Sequence, residues 1–163
     1  MIAVYPGSFD PVTYGHINIA ERGAKIFDHL FIAVLDNPDK QPLFSAAERV
    51  ALLQQSLAHL PNVSVTAFCG LLADFVKQAN TNIILRGLRG AADFESEAPY
   101  AAANRKLSGA ETLYLPAEPS LMYVSSRIVR EIAMHIYKNE YADDTALSAM
   151  VPDVVLVALR ARR

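Results

Sequence analysis

The sequence contains little that would support a disulfide-rich, nucleic-acid-binding or membrane-spanning protein. Cys69 is its single cysteine, which excludes an internal disulfide and a metal site built from several thiolates. The 15 Lys and Arg residues are outnumbered by 17 Asp and Glu residues, and the net charge of −2 argues against binding along a nucleic-acid backbone. The most apolar stretches, such as residues 154–159, are far shorter than the roughly 20 residues that cross a bilayer.

The first residues also lack the features of a secretory leader. Residues 1–6 have no basic segment and end in Pro6, so the sequence predicts a cytoplasmic protein with neither a membrane nor a nucleic acid as a partner. The chain has 163 residues, of which 52% are hydrophobic, and this is enough for one domain with a sizeable core. We therefore predict a single domain over residues 1–163.

Short apolar runs alternate with segments of helical periodicity. Strands are predicted at residues 2–5, 30–35, 63–67, 82–85 and 112–115. Helices are predicted at residues 14–27, 45–60, 71–78, 92–107 and 125–136, and a final helix is predicted to begin near Pro152. In the helix at residues 125–136, Ile128, Ile132 and Ile136 are predicted to face the core. Five strands joined by helical crossovers predict an α/β fold, a doubly wound, Rossmann-like parallel sheet with helices on both faces.

Ligands of such a sheet bind beyond the carboxyl ends of its strands, so the loops there are the informative places. Residues 5–16 read Y-P-G-S-F-D-P-V-T-Y-G-H and join the first strand to the first helix. Gly7 allows a phosphate to approach closely, Ser8 offers a hydroxyl, and His16 lies in the first helical turn, where backbone amides favour anions. We interpret the loop as an anion site, although neither G-x-G-x-x-G nor a P-loop is present.

Other potentially reactive residues carry weaker patterns. His29, His59 and His135 are scattered, with no carboxylate at ligand spacing, so they are interpreted as structural and no protein metal site is predicted. Cys69 follows the third strand and is expected to be a small buried residue. The motifs G-x-S-x-G and H-E-x-x-H are absent.

Two further motifs give these residues a family context. Residues 7–16 resemble the signature of the nucleotidyltransferase superfamily of the T/H-x-G-H type, which contacts a nucleotide triphosphate. Residues 86–97 read R-G-L-R-G-A-A-D-F-E-S-E and resemble the phosphopantetheine adenylyltransferases, as do residues 38–50 and 123–131. This resemblance covers nearly the whole chain. It implies transfer of the adenylyl group of ATP to 4′-phosphopantetheine, which gives 3′-dephospho-coenzyme A and pyrophosphate in the penultimate step of coenzyme A synthesis.

The resemblance also assigns roles to individual residues. His16 is implied to stabilise charge at the α-phosphate, with Lys40 and Arg86 as further catalytic residues. The residues implied for the phosphopantetheine side are Ser8, Lys40, Leu72 and Arg86. Those implied for ATP are Ser8, Phe9, His16, Gly87, Leu88, Arg89, Glu97, Leu121, Met122, Tyr123, Val124, Ser125, Ser126 and Arg127. Magnesium is expected to arrive with ATP, and the family further implies a homohexamer and feedback inhibition by coenzyme A.

Four residues depart from the family pattern. Val124 stands where the family has Ile, Arg127 stands where it has Thr or Ser, and Ser96 replaces a bulky side chain. Pro99 interrupts a segment that is otherwise helical. A proline inside a helix removes a hydrogen bond and costs roughly 3 kcal/mol, so the helix is expected to begin near Glu97 or to kink there.

Two other functions remain open from the sequence. A nicotinate mononucleotide adenylyltransferase or a cytidylyltransferase would use the same first motif, although the R-G-L-R and D-F-E-S-E strings argue against both. A nucleotide-binding sensor without turnover belongs to a different functional class. The joint presence of Ser8, His16, Lys40 and Arg86 disfavours the sensor.

Overall fold

The computed structural model describes residues 1–36, 41–137 and 143–162. At its centre is a five-stranded parallel sheet with the strand order β3-β2-β1-β4-β5. The strands are β1 (Ile2–Gly7), β2 (His29–Leu35), β3 (Val63–Phe68), β4 (Ile83–Leu88) and β5 (Glu111–Pro116). The predicted doubly wound sheet is confirmed, because the order of the strands reverses between β1 and β4.

Helices connect these strands and cover both faces of the sheet. They are α1 (Tyr14–Ile26), α2 (Ala46–Ser56), α3 (Leu72–Gln78), α4 (Ala91–Ser108), α5 (Ser126–Ile136), α6 (Thr145–Ser148) and α7 (Asp153–Arg160), with a short 3₁₀ turn at Pro119–Leu121. Helix α2 begins with a capping box, because Ser45 and Glu48 each bond the other's backbone amide. Within the described ranges, no helix is long and apolar enough to span a membrane.

The hydrophobic core is divided unequally between the two faces. The larger part packs Tyr5, Leu30 and Ile32 of the sheet against α1, α2 and the helices that follow β5. The smaller part is centred on Val4 and Ile84 and is covered by α3. Helix α4 lies beside α3 and β5 and contributes no fully buried residue, so its apolar side chains remain on the surface.

The seam between β1 and β4 is the shortest pairing in the sheet. In the described strands it holds one register pair, Val4 with Ile84, whereas β4 and β5 share six. Pro6 accounts for this difference, because a proline has no N–H to donate to a neighbouring strand. Its carbonyl faces β4 and accepts a hydrogen bond from Nη1 of Arg86. The described ladder between β1 and β4 therefore stops at Val4 and Ile84, before the carboxyl ends of the two strands.

Three sequence predictions are wrong in detail. Helix α4 begins at Ala91 instead of near Glu97, and it continues through Pro99, because its packing on α3 and β5 offsets the loss of one hydrogen bond. Ile128 is 36% exposed, because Val129, Ala133 and Ile136 form the buried face of α5. Cys69 is exposed beyond the end of β3, where the chain has already left the core.

Candidate active site

A cavity of about 370 Å³ lies at the carboxyl ends of β1 and β4. A volume of this size is typical of small-molecule sites. Its walls come from the first loop (residues 8–13), the amino-terminal turns of α1 and α5, and the segment from β4 into α4. Three distant parts of the chain therefore meet at the point where the strand order reverses.

The first loop is shaped by a buried aromatic ring. Phe9 is 1% exposed and has a φ of 49°, a left-handed conformation that is uncommon for residues other than glycine. Its ring lies over Gly7, where a Cβ would come within 2.9 Å of the Phe9 Cζ. Edge-to-face contacts join it to Tyr5 at 5.3 Å and to His16 at 5.0 Å between ring centroids. The packed rings of Tyr5 and Phe9 therefore support the His16 imidazole where it lines the cavity.

The imidazole of His16 is fixed by the start of its own helix. Thr13 caps α1, and its backbone N–H donates to Nδ1 of His16 at 3.1 Å. Because Nδ1 accepts this bond, a neutral ring carries its proton on Nε2. Burial is the largest cause that lowers the His16 pKa from 6.5 to about 4, and the nearby positive charges of Arg89 and Arg86 contribute to the same shift. At neutral pH His16 is therefore an uncharged N–H donor that lines the cavity.

The depressed pKa of His16 predicts a pH dependence of folding. Between pH 6.5 and about 4 the unfolded imidazole binds a proton that the folded one does not, so stability falls as the pH is lowered through this range. We expect the free energy of unfolding of the wild type to fall more between pH 7 and pH 5 than that of His16→Gln, whose amide can still cap the helix. Urea unfolding at both pH values measures this, and a His16 NMR titration midpoint near 6.5 would contradict it.

Arg86 and Glu97 form the central charge pair of the cavity. Nε of Arg86 donates to Oε2 of Glu97 at 2.8 Å, and Nη2 donates to Oε1, so the pairing is bidentate. The third nitrogen, Nη1, donates to the carbonyl of Pro6. The guanidinium therefore bridges the open seam between β1 and β4 and stays partly exposed to the cavity.

Two more arginines of the cavity pair with a carboxylate four residues further along the chain. Arg89 donates from Nε and Nη2 to Asp93, and these bonds lower the pKa of the Asp93 carboxyl. Arg127 donates from Nε to Glu131 at 2.9 Å on the exposed end of α5. These cations are held in place by groups that an anionic ligand could displace.

The start of α5 forms the opposite wall. Ser125 caps the helix, and its Oγ accepts a hydrogen bond from the Ile128 amide at 3.2 Å. The hydroxyl of Ser126 donates to the Pro11 carbonyl at 2.8 Å and so ties α5 to the first loop. Backbone amides at a helix start attract anions, and the family resemblance implies that this segment contacts ATP.

Most of the residues predicted for the site meet at this cavity. Those that line it are Ser8, Phe9, His16, Arg86, Gly87, Arg89, Glu97, Leu121, Val124, Ser125, Ser126 and Arg127. Leu88, Met122 and Tyr123 are adjacent in sequence but do not line it, and Leu72 instead packs beside the smaller core. Lys40 lies outside the described residues.

Other lining residues were missed from the sequence. They are Tyr5, Gly7, Thr13, Gly15, Ile19, Asp93, Ala117 and Arg130. Gly7 is predicted to admit a phosphate, but it is not among the residues that the resemblance implies for binding. The spacing of four residues from Arg89 could have identified Asp93, and the same spacing from Ser126 could have identified Arg130. Tyr5, Thr13 and Ile19 carry no comparable signal, because their places depend on packing. Among the described residues, no group of three or more His, Cys, Asp or Glu side chains could hold a metal ion.

Comparisons with known sequences give a consistent result. The model of the cytidylyltransferase-like family matches residues 4–132. The phosphopantetheine adenylyltransferase of Caldanaerobacter subterraneus subsp. tengcongensis is 48% identical over 155 residues, which cover 94% of this chain and 92% of that protein. The enzyme of the same name from Haemophilus influenzae is 48% identical over 160 residues, covering 98% of this chain and 97% of that one.

Solved structures with low sequence identity share the fold. The nicotinic acid mononucleotide adenylyltransferase of Plasmodium falciparum aligns with a TM-score of 0.71 at 12% identity, over 99% of this chain and 98% of that chain. A bifunctional NMN adenylyltransferase/ADP ribose pyrophosphatase of Francisella tularensis aligns with a TM-score of 0.63 at 13% identity, over 82% and 42% of the two chains. At such identities the likeness extends to the architecture alone.

Proposed function

The chain belongs to the cytidylyltransferase-like family and, within it, to the phosphopantetheine adenylyltransferases, and on that premise we propose that it transfers the adenylyl group of ATP to 4′-phosphopantetheine. The products are 3′-dephospho-coenzyme A and pyrophosphate, so the reaction belongs to coenzyme A biosynthesis. The observation that carries the proposal is one cavity that joins a neutral His16 donor to Arg86 and Arg89. Residues 1–163 act as a single catalytic domain.

The reaction needs little proton transfer. An oxygen of the 4′-phosphate attacks the α-phosphorus of ATP, and the bond to the bridging oxygen breaks, so pyrophosphate leaves with the electron pair. A phosphate monoester has a second pKa of about 6, so the attacking oxygen is already largely ionised near neutral pH. Catalysis therefore rests on positioning and charge stabilisation, and the site needs no general base.

His16 is suited to stabilise the transition state. Its Nδ1 is held by the Thr13 amide, which leaves Nε2–H for an oxygen of the α-phosphate. A donor that is already oriented does not have to reorganise when charge develops, and this is the source of its effect. Its neutral state at pH 7 follows from the lowered pKa.

The remaining residues divide between the two substrates. Arg86 and the Ser8 hydroxyl bind the phosphate of phosphopantetheine, and Lys40 adds a second positive charge. Leu72 contacts the pantetheine arm. The ATP side is formed by Arg89 and Glu97, the Gly87–Leu88 backbone, and the segment 121–127 at the start of α5.

The Arg86–Glu97 pair must open or share its hydrogen bonds when the acceptor phosphate binds. We expect Glu97→Gln to bind 4′-phosphopantetheine about three- to ten-fold more tightly without ATP, because a neutral amide competes less well for Arg86 than a carboxylate does. ATP binding weakens in the same variant. Calorimetric titration with each substrate alone measures both effects.

The matched control for this variant is Glu111→Gln. Glu111 pairs with Arg105 on the exposed surface, so its loss removes the same charge away from the cavity. Binding of phosphopantetheine by this control should equal that of the wild type. Weaker acceptor binding by Glu97→Gln would mean that Glu97 holds Arg86 in place for the phosphate instead of competing with it.

The metal and the cellular context follow from the same proposal. ATP enters as its magnesium complex, since the ion rides on the triphosphate, and this chain's part is to bind the phosphates. The reaction takes place in the cytoplasm, where ATP and phosphopantetheine are both available. Coenzyme A contains the product's structure and is therefore a feedback inhibitor that competes for the acceptor side.

The enzyme is further proposed to act as a homohexamer. Helix α4 and the neighbouring edge strand β5 support this, because they leave large apolar side chains exposed. These are Phe94 at 49%, Tyr100 at 69%, Leu107 at 52% and Leu113 at 45%. A surface of this kind is typical of contact between subunits. Light scattering after size exclusion tests whether the particle has six times the mass of the 17.8 kDa subunit.

Pyrophosphate release is the direct test of the activity. The purified chain is incubated with ATP and Mg²⁺, together with 4′-phosphopantetheine, nicotinate mononucleotide or no acceptor. Release with phosphopantetheine alone, matched by dephospho-coenzyme A, supports the proposal. Release with nicotinate mononucleotide would show that this compound, and not phosphopantetheine, is the acceptor. ATP binding without pyrophosphate release would favour a nucleotide sensor.

A further inference from the structure

Arg49 is a buried cation that lies outside the cavity. It is 2% exposed, on the first turns of α2, and its guanidinium contacts three segments of the chain. Nε donates to the Phe44 carbonyl at 3.0 Å. Nη1 donates to the carbonyls of Ser8 at 2.8 Å and Leu35 at 3.0 Å. Nη2 donates to Oδ1 of Asp36 at 3.2 Å. The side chain therefore joins the first loop to the end of β2 and the start of α2.

Stability alone does not account for a guanidinium at this position. Burial of a charge carries a large desolvation cost, and apolar side chains of similar volume often replace buried ion pairs without loss of stability. What the guanidinium adds is geometry, because its planar fork presents several donors in fixed directions. Here those directions coincide with the carbonyls of loops that border the candidate site.

The bond to Ser8 orients the peptide group that follows it. Because the Ser8–Phe9 peptide is planar and trans, its carbonyl and its N–H point in opposite directions. The carbonyl points to Arg49, which lies behind the wall, so the Phe9 N–H points to the side of the cavity, which Ser8 and Phe9 line. We propose that Arg49 is a positioning residue that directs the Phe9 amide at a phosphate of the bound nucleotide.

A second buried charge supports the same loop from the opposite side. The carboxylate of Asp10, which is 6% exposed, accepts hydrogen bonds from the amides of Leu43 at 2.8 Å and Phe44 at 2.9 Å. Phe44 is thus bonded at its amide by Asp10 and at its carbonyl by Arg49. Between these two anchors Phe9 is held in its left-handed conformation, which an unsupported loop would leave.

The inference rests on the proposed function for the identity of the ligand, and it is tested by Arg49→Lys. A lysine keeps the charge but cannot reach the same carbonyls with one ammonium group. We expect kcat to fall about ten- to a hundred-fold, as when a donor to developing charge is displaced, while the KM for each substrate changes less. In ¹⁵N-labelled wild-type protein the Phe9 amide resonance should shift on addition of ATP and Mg²⁺ without acceptor. In the variant that shift should be reduced.

A matched control separates positioning from loss of stability. Leu53 is 1% exposed on the same helix and does not contact the first loop through a hydrogen bond. Leu53→Ala should lower Tm but keep both its kcat, measured well below Tm, and the Phe9 response. A kcat of Arg49→Lys within two-fold of the wild type would overturn the proposal, as would an unchanged Phe9 response.

The wild-type titration can overturn the proposal even if Arg49→Lys does not fold. A Phe9 amide that does not respond to ATP, while other cavity amides do, contradicts the proposal. Failure of the proposed function appears separately, as wild-type protein that releases no pyrophosphate with phosphopantetheine. In that case the Phe9 response to ATP, compared between the wild type and Arg49→Lys, still tests the role of Arg49.

Discussion

Replacement of His16 by alanine is expected to lower kcat by about two orders of magnitude or more, because it removes the oriented Nε2–H donor from the α-phosphate. The KM values should change less, since the donor acts mainly where charge develops. The substitution also removes one half of the capping box of α1, with an expected loss of about 1 kcal/mol of stability. Steady-state pyrophosphate release at saturating substrates measures the effect on kcat.

Two variants isolate the catalytic part of this effect. His16→Gln keeps a capping side chain and a neutral N–H donor, so it should retain more activity than His16→Ala. His59→Ala removes an imidazole that pairs with Glu21 on the surface, and its turnover should equal that of the wild type. If His16→Ala turned over at nearly the wild-type rate while remaining folded, His16 would have only a structural role.

Substitution of Arg86 by glutamine is expected to lower kcat/KM for 4′-phosphopantetheine by about 10²- to 10³-fold. The variant loses a cation that can bind a phosphate through two parallel bonds, and it leaves the Glu97 carboxylate facing the incoming phosphate. Arg86→Lys should lose less, because the charge remains. The lysine side chain cannot, however, bind Glu97 and the Pro6 carbonyl at the same time, as the guanidinium of Arg86 does.

The control for Arg86 is a substitution of the same kind on the surface. Arg105 pairs with Glu111 at the end of α4, away from the cavity, and Arg105→Gln should leave kcat/KM unchanged. Initial rates over a range of acceptor concentrations distinguish the two variants. An Arg86→Gln enzyme with normal use of phosphopantetheine but weakened ATP binding would assign Arg86 to the nucleotide.

The sheet and the segments that meet at its crevice could be predicted because their signals are local. Apolar runs of strand length end at turn residues, and the amphipathic period of α1 begins where Thr13 caps it. Parallel strands then bring the ends of β1 and β4 to one edge of the sheet. This topology brings His16 and Arg86, which are 70 positions apart in the sequence, to one cavity, although the family resemblance is what assigns Arg86 to the site.

The pairing of charges within the cavity could not be predicted in the same way. Glu97 reaches Arg86 only because α4 begins at Ala91 and runs through Pro99, a result of tertiary packing that outweighs the local penalty. The exposure of Ile128 likewise depends on which face of α5 packs against the core. If the predicted buried face is displaced by one residue along the helix, Ile128 changes from a buried to an exposed position. The contacts of Arg49 could not be read from the sequence, because most of its partners are backbone carbonyls of distant or neighbouring segments.

The open seam beside Pro6 also bears on how this protein can change. An N–H at position 6 would face β4, and pairing there would extend the central ladder into the region that a ligand occupies. A ladder extended to position 6 would also compete with Arg86 for the carbonyl of that residue, so sheet stability and the placement of the guanidinium act against each other at one position.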